Sequence, residues 1–145
     1  MANVASILRP AALLAINLLL LMIWGFASIS KLRDGMPAWF DGKFGKTFFA
    51  AFPGLFATFW LLTFSELIAF TLALAALVRI EFLRQRPANF LSLAAAWSLF
   101  VFLQLGFGQW LTGEFNGAFQ QFMYFCGTLF ALHFVQTSIK PATAN

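Results

Sequence analysis

Four stretches of this chain carry almost no charge: the residues between Arg9 and Lys31, and those from Thr47 to Val78, Pro87 to Gly113 and Phe115 to Ile139. The one charged side chain inside them is Glu66. A helix needs roughly 20 mainly apolar residues to cross the hydrocarbon core of a bilayer, and each run supplies that length. In lipid every span must satisfy its own backbone hydrogen bonds, so the runs are helices rather than strands. The predicted fold is all-α: a four-helix transmembrane bundle, up-and-down and antiparallel. It forms a single domain, 1–145, with spans at about 10–30, 53–78, 89–111 and 117–138.

Composition agrees. Of the 145 residues, 61% are hydrophobic and only 10% charged, against roughly 25% charged in a soluble domain. The 21 phenylalanines suit lipid-facing and helix-packing surfaces. A net charge of +4 could point to nucleic acid in a soluble protein. Here the cations cluster in short loops, so topology and anionic lipid account for them, and no nucleic-acid partner is expected. Cys126 is the single cysteine and cannot form an internal disulfide. The run from Pro10 to Ser30 exceeds a signal-peptide core and is expected to remain as a span.

The connector after the first span, KLRDGMPAWFDGKFGKTFFAAF, mixes lysines with Trp39, Phe40, Phe44, Phe48 and Phe49. That mixture predicts an interfacial segment, with a short amphipathic helix near Lys43 to Phe52 and a disordered loop as the alternative. One side of the membrane would hold Arg9, Arg79, Arg84, Arg86 and Lys140, and the other Lys31, Arg33, Lys43 and Lys46. The positive-inside rule then puts both termini in the cytoplasm, by one charge.

A carboxylate at the depth of Glu66 costs several kcal/mol unless it is paired, protonated or hydrated. Thr63, Ala69, Phe70, Ala73 and Ala76 share its side of the helix, and small residues there admit a close neighbour. On the first span Asn17, Trp24, Ser28 and Lys31 fall on one face. A direct Lys31–Glu66 pair is one reading, although Glu66 lies roughly 20 Å along the helix from Pro53. A protonated Glu66 hydrogen-bonded to Asn17, Ser28, Gln104 or Tyr124 is another, and a purely structural Glu66 a third.

His133 is the only histidine, so bis-histidine haem ligation is excluded, and Cys126 is two turns away. No metal site is expected. His133 reads as a satisfied or interfacial histidine, with a quinone hydrogen-bond donor or proton relay as the functional alternative. Gln104 with Gly108, and Tyr124 with Gly127, Thr128 and Ala131, read as packing faces that could also cradle a flat headgroup. Glu114, in a Gly/Asn loop, is expected to be solvated. No CxxC, HExxH, phosphate loop or Ser-His-acid arrangement occurs.

Three segments carry a family resemblance: GFASISKL at Gly25 to Leu32, FPG at Phe52 to Gly54, and SELIAFTLALAAL at Ser65 to Leu77. On these the chain resembles the DoxX-like family of small four-helix bacterial membrane proteins. The likeness covers the first half; the second half matches only in hydropathy and spacing. The resemblance implies a four-helix fold with cytoplasmic termini and a link to membrane redox systems. Members include the small subunit of a thiosulfate:quinone oxidoreductase, and others associate with enzymes of thiol and oxidative-stress homeostasis. Lys31 and Glu66 match the family's polar positions.

The expected function is therefore a small subunit or anchor of a quinone-linked redox system in the bacterial inner membrane. Glu66 would be the candidate catalytic acid near a quinone, with Lys31 tuning its acidity, and Asn17, Gln104, Tyr124 and His133 as further candidate binding residues. No covalent cofactor is expected, and the chain does not read as an independent enzyme. The alternative is a non-catalytic accessory subunit packed against partner membrane or redox subunits. A small proton-coupled carrier is a weaker third reading.

Overall fold

The structure, a computed structural model, describes residues 4–83 and 87–138. They are helical throughout, with no strand among the described residues: α1 (Val4–Asp34), α2 (Ala38–Phe44), α3 (Leu55–Val78), α4 (Asn89–Leu111) and α5 (Phe115–Ser138). A 3-10 turn occupies Phe48–Ala50. Three helices, α1, α3 and α4, are long and apolar enough to cross a membrane, which makes this a multi-pass membrane protein. The fourth long helix, α5, has 24 residues but falls short in apolarity, because Gln120, Gln121, His133 and Gln136 dilute it.

The main packing runs in the order α1–α3–α4–α5, and α1 meets α4 and α5 only lightly. Small side chains set the closeness of the inner helices. Ala69, Ala73 and Ala76 on α3, and Ala94, Ala95 and Ser98 on α4, have 0% exposure. With so little side chain between them, the backbones approach and gain van der Waals contact, the main attraction available to helices in lipid. From α1, Leu13, Asn17, Leu20, Trp24 and Ser28 are buried at helical spacing. Trp24 fills the widest gap: its ring lies 4.8 Å from that of Phe102, and its Nε1 donates to Ser98 Oγ at 2.7 Å.

The ends of α1 and α3 are staggered. Lys31 lies in the last turn of α1, which closes at Gly35 (φ +70°) with a hydrogen bond from Gly35 N to Lys31 O at 2.9 Å. The connector then runs alongside α3 instead of turning straight into it. Phe40 and Phe44 bury themselves on Phe59, about one and a half turns below the amide end of α3 at Gly54. The Phe44 ring also sits where Gly108 of α4 has no Cβ, 3.6 Å from the position a Cβ would take.

Two local expectations are corrected. The amphipathic helix spans Ala38–Phe44, not Lys43 to Phe52, because Pro37 starts it with a fixed φ and Gly45 closes it on Asp41 O at 2.8 Å. α3 starts at Leu55 rather than Pro53, because Gly54 takes φ +99°, a turn conformation open to glycine and not to helical residues. In the α3–α4 loop, Glu81 is 3% exposed, and its Oε2 accepts from Leu91 N at 3.0 Å. A carboxylate there meets the bare N–H groups and positive dipole end of α4. Arg84, Arg86 and Lys140, on which the charge asymmetry between the two sides rests, lie outside the described residues.

Candidate functional site

The stagger brings the last turn of α1 to the middle of α3. There Lys31 Nζ donates to Glu66 Oε1. The direct Lys31–Glu66 pair read as one possibility from the sequence is formed, and it is compatible with a structural role for Glu66. The depth of Glu66 is no obstacle, because α1 ends beside Glu66 and the connector covers the part of α3 above it. The two partners are unequal: the Glu66 side chain is 1% exposed and that of Lys31 25%. The second carboxylate oxygen, Oε2, is buried and has no hydrogen-bond partner among the described residues.

The neighbours of Glu66 spend their polar groups elsewhere. Thr63 donates to Phe59 O at 2.8 Å, and Ser28 donates to Trp24 O at 2.6 Å. From α4, Trp97 Nε1 donates to Ser65 O at 2.9 Å and Gln104 Nε2 to Ser65 Oγ at 3.2 Å. These two bonds clamp α4 to α3 at the residue before Glu66 and fix its height and direction.

Lys31 also opens onto a cavity of about 640 Å³ between the connector and α1, α3 and α4. Its walls are aromatic, with Trp39, Phe40, Phe44 and Phe107 among them, and Gln104 lines it at the level of Ser65. Lys43 and Gln109 line it as well. Lys43 Nζ donates to Gln109 Oε1 at 3.0 Å and pairs with Glu114 Oε2 at 2.9 Å. Glu114 is therefore an ion-pair partner, not simply solvated: α2 reaches across to the α4–α5 loop, which a reading of that loop alone could not reveal.

The structure thus brings Lys31, Glu66 and Gln104 together and leaves the other three candidates apart. Asn17 is fully buried two turns further along α3, its amide donating to Ala73 O at 2.9 Å and accepting from Leu77 N at 3.1 Å. Tyr124 is half exposed on α5 with its ring 5.7 Å from that of Phe102. His133 is exposed near the end of α5. No group of three or more His, Cys, Asp or Glu residues that could hold a metal occurs among the described residues.

Sequence reasoning missed Lys43, Gln109 and Glu81. The one available signal for Lys43 was its place between aromatic residues in FDGKF; its partners are far along the chain.

Chemically, the site is a buried acid–base pair whose lysine lines a ligand-sized space. An ammonium has three N–H donors, and Glu66 Oε1 takes one from Lys31, which leaves donors for the cavity. The bare Glu66 Oε2 can accept a proton. No family model, curated protein or solved structure matches this chain.

Proposed function

We propose that this chain is a small integral membrane subunit, or anchor, of a quinone-linked redox system. α5 forms the fourth span of an up-and-down bundle in the bacterial inner membrane, and both termini face the cytoplasm. The resemblance to DoxX-like proteins and the distribution of cations support this arrangement. The observation that carries the functional reading is the buried Glu66, one oxygen on Lys31 and the other bare, joined through Lys31 to an aromatic cavity.

A quinone fits the residues present. The cavity volume of about 640 Å³ lies within the range of roughly 300–1,000 Å³ usual for small-molecule sites. Its aromatic walls suit a flat ring, and Lys31 offers a donor to a carbonyl oxygen. When bound, a quinone would supply two-electron chemistry coupled to protons, with the electrons coming from a partner subunit. Lys31 orients the headgroup, Glu66 holds or releases a proton at Oε2, and the Phe40–Phe44–Phe59 cluster keeps water from the pair. The test is purification in native lipid with extraction of bound quinone. Stoichiometric quinone, lost in Glu66→Gln or Lys31→Met protein that remains folded, is the expected result. Protein that carries none even when quinone is added refutes the reading.

One observation favours the accessory role as a second reading. Among the side chains of α5 only Ala118 and Val135 are buried, and Phe119, Phe122, Met123, Tyr124 and Phe130 are exposed. Such a face suits a neighbouring helix of a larger complex. A stoichiometric membrane partner lost on Gly127→Leu substitution, in protein without quinone, would favour this role over the first.

A further inference from the structure

We propose that Lys43 is a second ligand anchor, so that the cavity takes an uncharged ring with hydrogen-bond acceptor oxygens at two opposite ends, held between Lys31 and Lys43. This rests on the quinone reading above and narrows it to two-ended recognition.

Two lysine–glutamine groups line the cavity at different levels of α4. Lys31 and Gln104 form one, level with Ser65 and Glu66. Lys43 and Gln109 form the other. Gln104 and Gln109 stand five residues apart on the same helix, roughly 7.5 Å along its axis, so the two polar groups sit at separate levels. Aromatic side chains line the same cavity.

The charges select the ligand's class. Each lysine already faces a carboxylate, Glu66 for Lys31 and Glu114 for Lys43. Asp34 at the rim is held by Arg33 at 2.7 Å. The cavity therefore has no unmatched charge to attract an anion or a cation. Donors do remain. Lys43 spends one N–H on Gln109 and one on Glu114, so one of its three is left, and Lys31 has two. Donors without net charge call for neutral acceptors, and donors at both levels call for two of them.

The experiment compares two ligands of nearly one shape: 1,4-naphthoquinone, with carbonyls at both ends, and 1-tetralone, with one. Equilibrium binding to the full chain in nanodiscs, with empty nanodiscs as the blank, gives both affinities. Lys43→Met is expected to weaken 1,4-naphthoquinone about tenfold, the scale of one lost charged hydrogen bond, and to leave 1-tetralone within about twofold. Lys31→Met is expected to weaken both. Glu114→Gln, which breaks the ion pair but keeps the ammonium, is expected to leave 1,4-naphthoquinone binding unchanged. If Lys43→Met weakens neither ligand, or both equally, two-ended recognition is refuted while the quinone reading stands. If Glu114→Gln weakens 1,4-naphthoquinone as much as Lys43→Met does, Lys43 acts by holding α2 and is no anchor. If the unaltered chain binds neither ligand saturably, both readings fall together.

Discussion

Replacing Lys31 with methionine should destabilise the protein far more than replacing Glu66 with glutamine. The asymmetry follows from burial. Glu66 is 1% exposed and Lys31 25%, and Glu66 Oε2 already lacks a partner. Without Lys31 both carboxylate oxygens are stranded in a closed site. Removing one partner of a buried pair costs about 3–5 kcal/mol, and the partial exposure of Lys31 puts this case near 3. Glu66→Gln preserves shape and removes the charge. It leaves an ammonium that can turn toward the cavity, at about 1 kcal/mol, the scale of one hydrogen bond. The single Cys126, half-buried on α5, allows unfolding to be followed by reaction with a thiol-specific dye during heating. At about 2–4 °C per kcal/mol, Lys31→Met should lower Tm by roughly 6–12 °C and Glu66→Gln by roughly 2–4 °C. The double variant should fall by less than the sum, because the two residues share one interaction. Equal losses from the two single variants, or a larger loss from Glu66→Gln, would refute the claim that Lys31 stabilises a charged Glu66.

Three further outcomes can be read by the same thermal assay. Ala73→Leu, at a position with 0% exposure between α1 and α3, should cost about 1–3 kcal/mol by overpacking, whereas Val78→Leu, at 73% exposure, should stay within about 0.5 kcal/mol. Trp24→Phe loses the 2.7 Å bond to Ser98 and should cost about 1–2 kcal/mol; adding Ser98→Ala should cost little more, because that hydroxyl otherwise bonds only Ala94 O of its own helix. Glu81→Ala uncaps the first turn of α4 and should cost about 1 kcal/mol, while Glu81→Gln, which keeps an acceptor for Leu91 N, should cost less.

The helices were legible because their signal is local. Apolar runs bounded by charges place α4 where the third span is expected, at Asn89–Leu111, and the small-residue face of α3 is the face that is buried. Glu66 stood out because one carboxylate in a long apolar run is costly unless it is paired, protonated or hydrated. What escaped notice depends on contacts between distant residues. Nothing near Lys43 marks Gln109 or Glu114 as its partners. Nothing in α1 says that the helix ends beside the middle of α3. Asn17 and Lys31 share a helical face, which made them look like one site, yet they meet α3 at different heights, Leu77 and Glu66. α5 was the least legible helix: its length suits a span, but its glutamines and histidine lower its apolarity, and only two of its side chains are buried.

The stagger between α1 and α3 explains why so small a chain has a cavity at all. Where helices pack along their full length, Ala69, Ala73, Ala76, Ala94 and Ala95 have 0% exposure, and an interior that close leaves no room for a ligand. Space opens where α1 stops at Asp34 and the connector runs beside α3 and α4. The connector fills that space with side chains instead of backbone, so its walls are the rings of Phe40, Phe44 and Trp39. The same ending of α1 leaves Lys31, in its last turn, lining the cavity while it holds Glu66. Cavity and ion pair thus lie together at the end of α1. Inserting a single residue between Ser28 and Lys31 should break the ion pair, since it rotates Lys31 by about 100° about the helix axis.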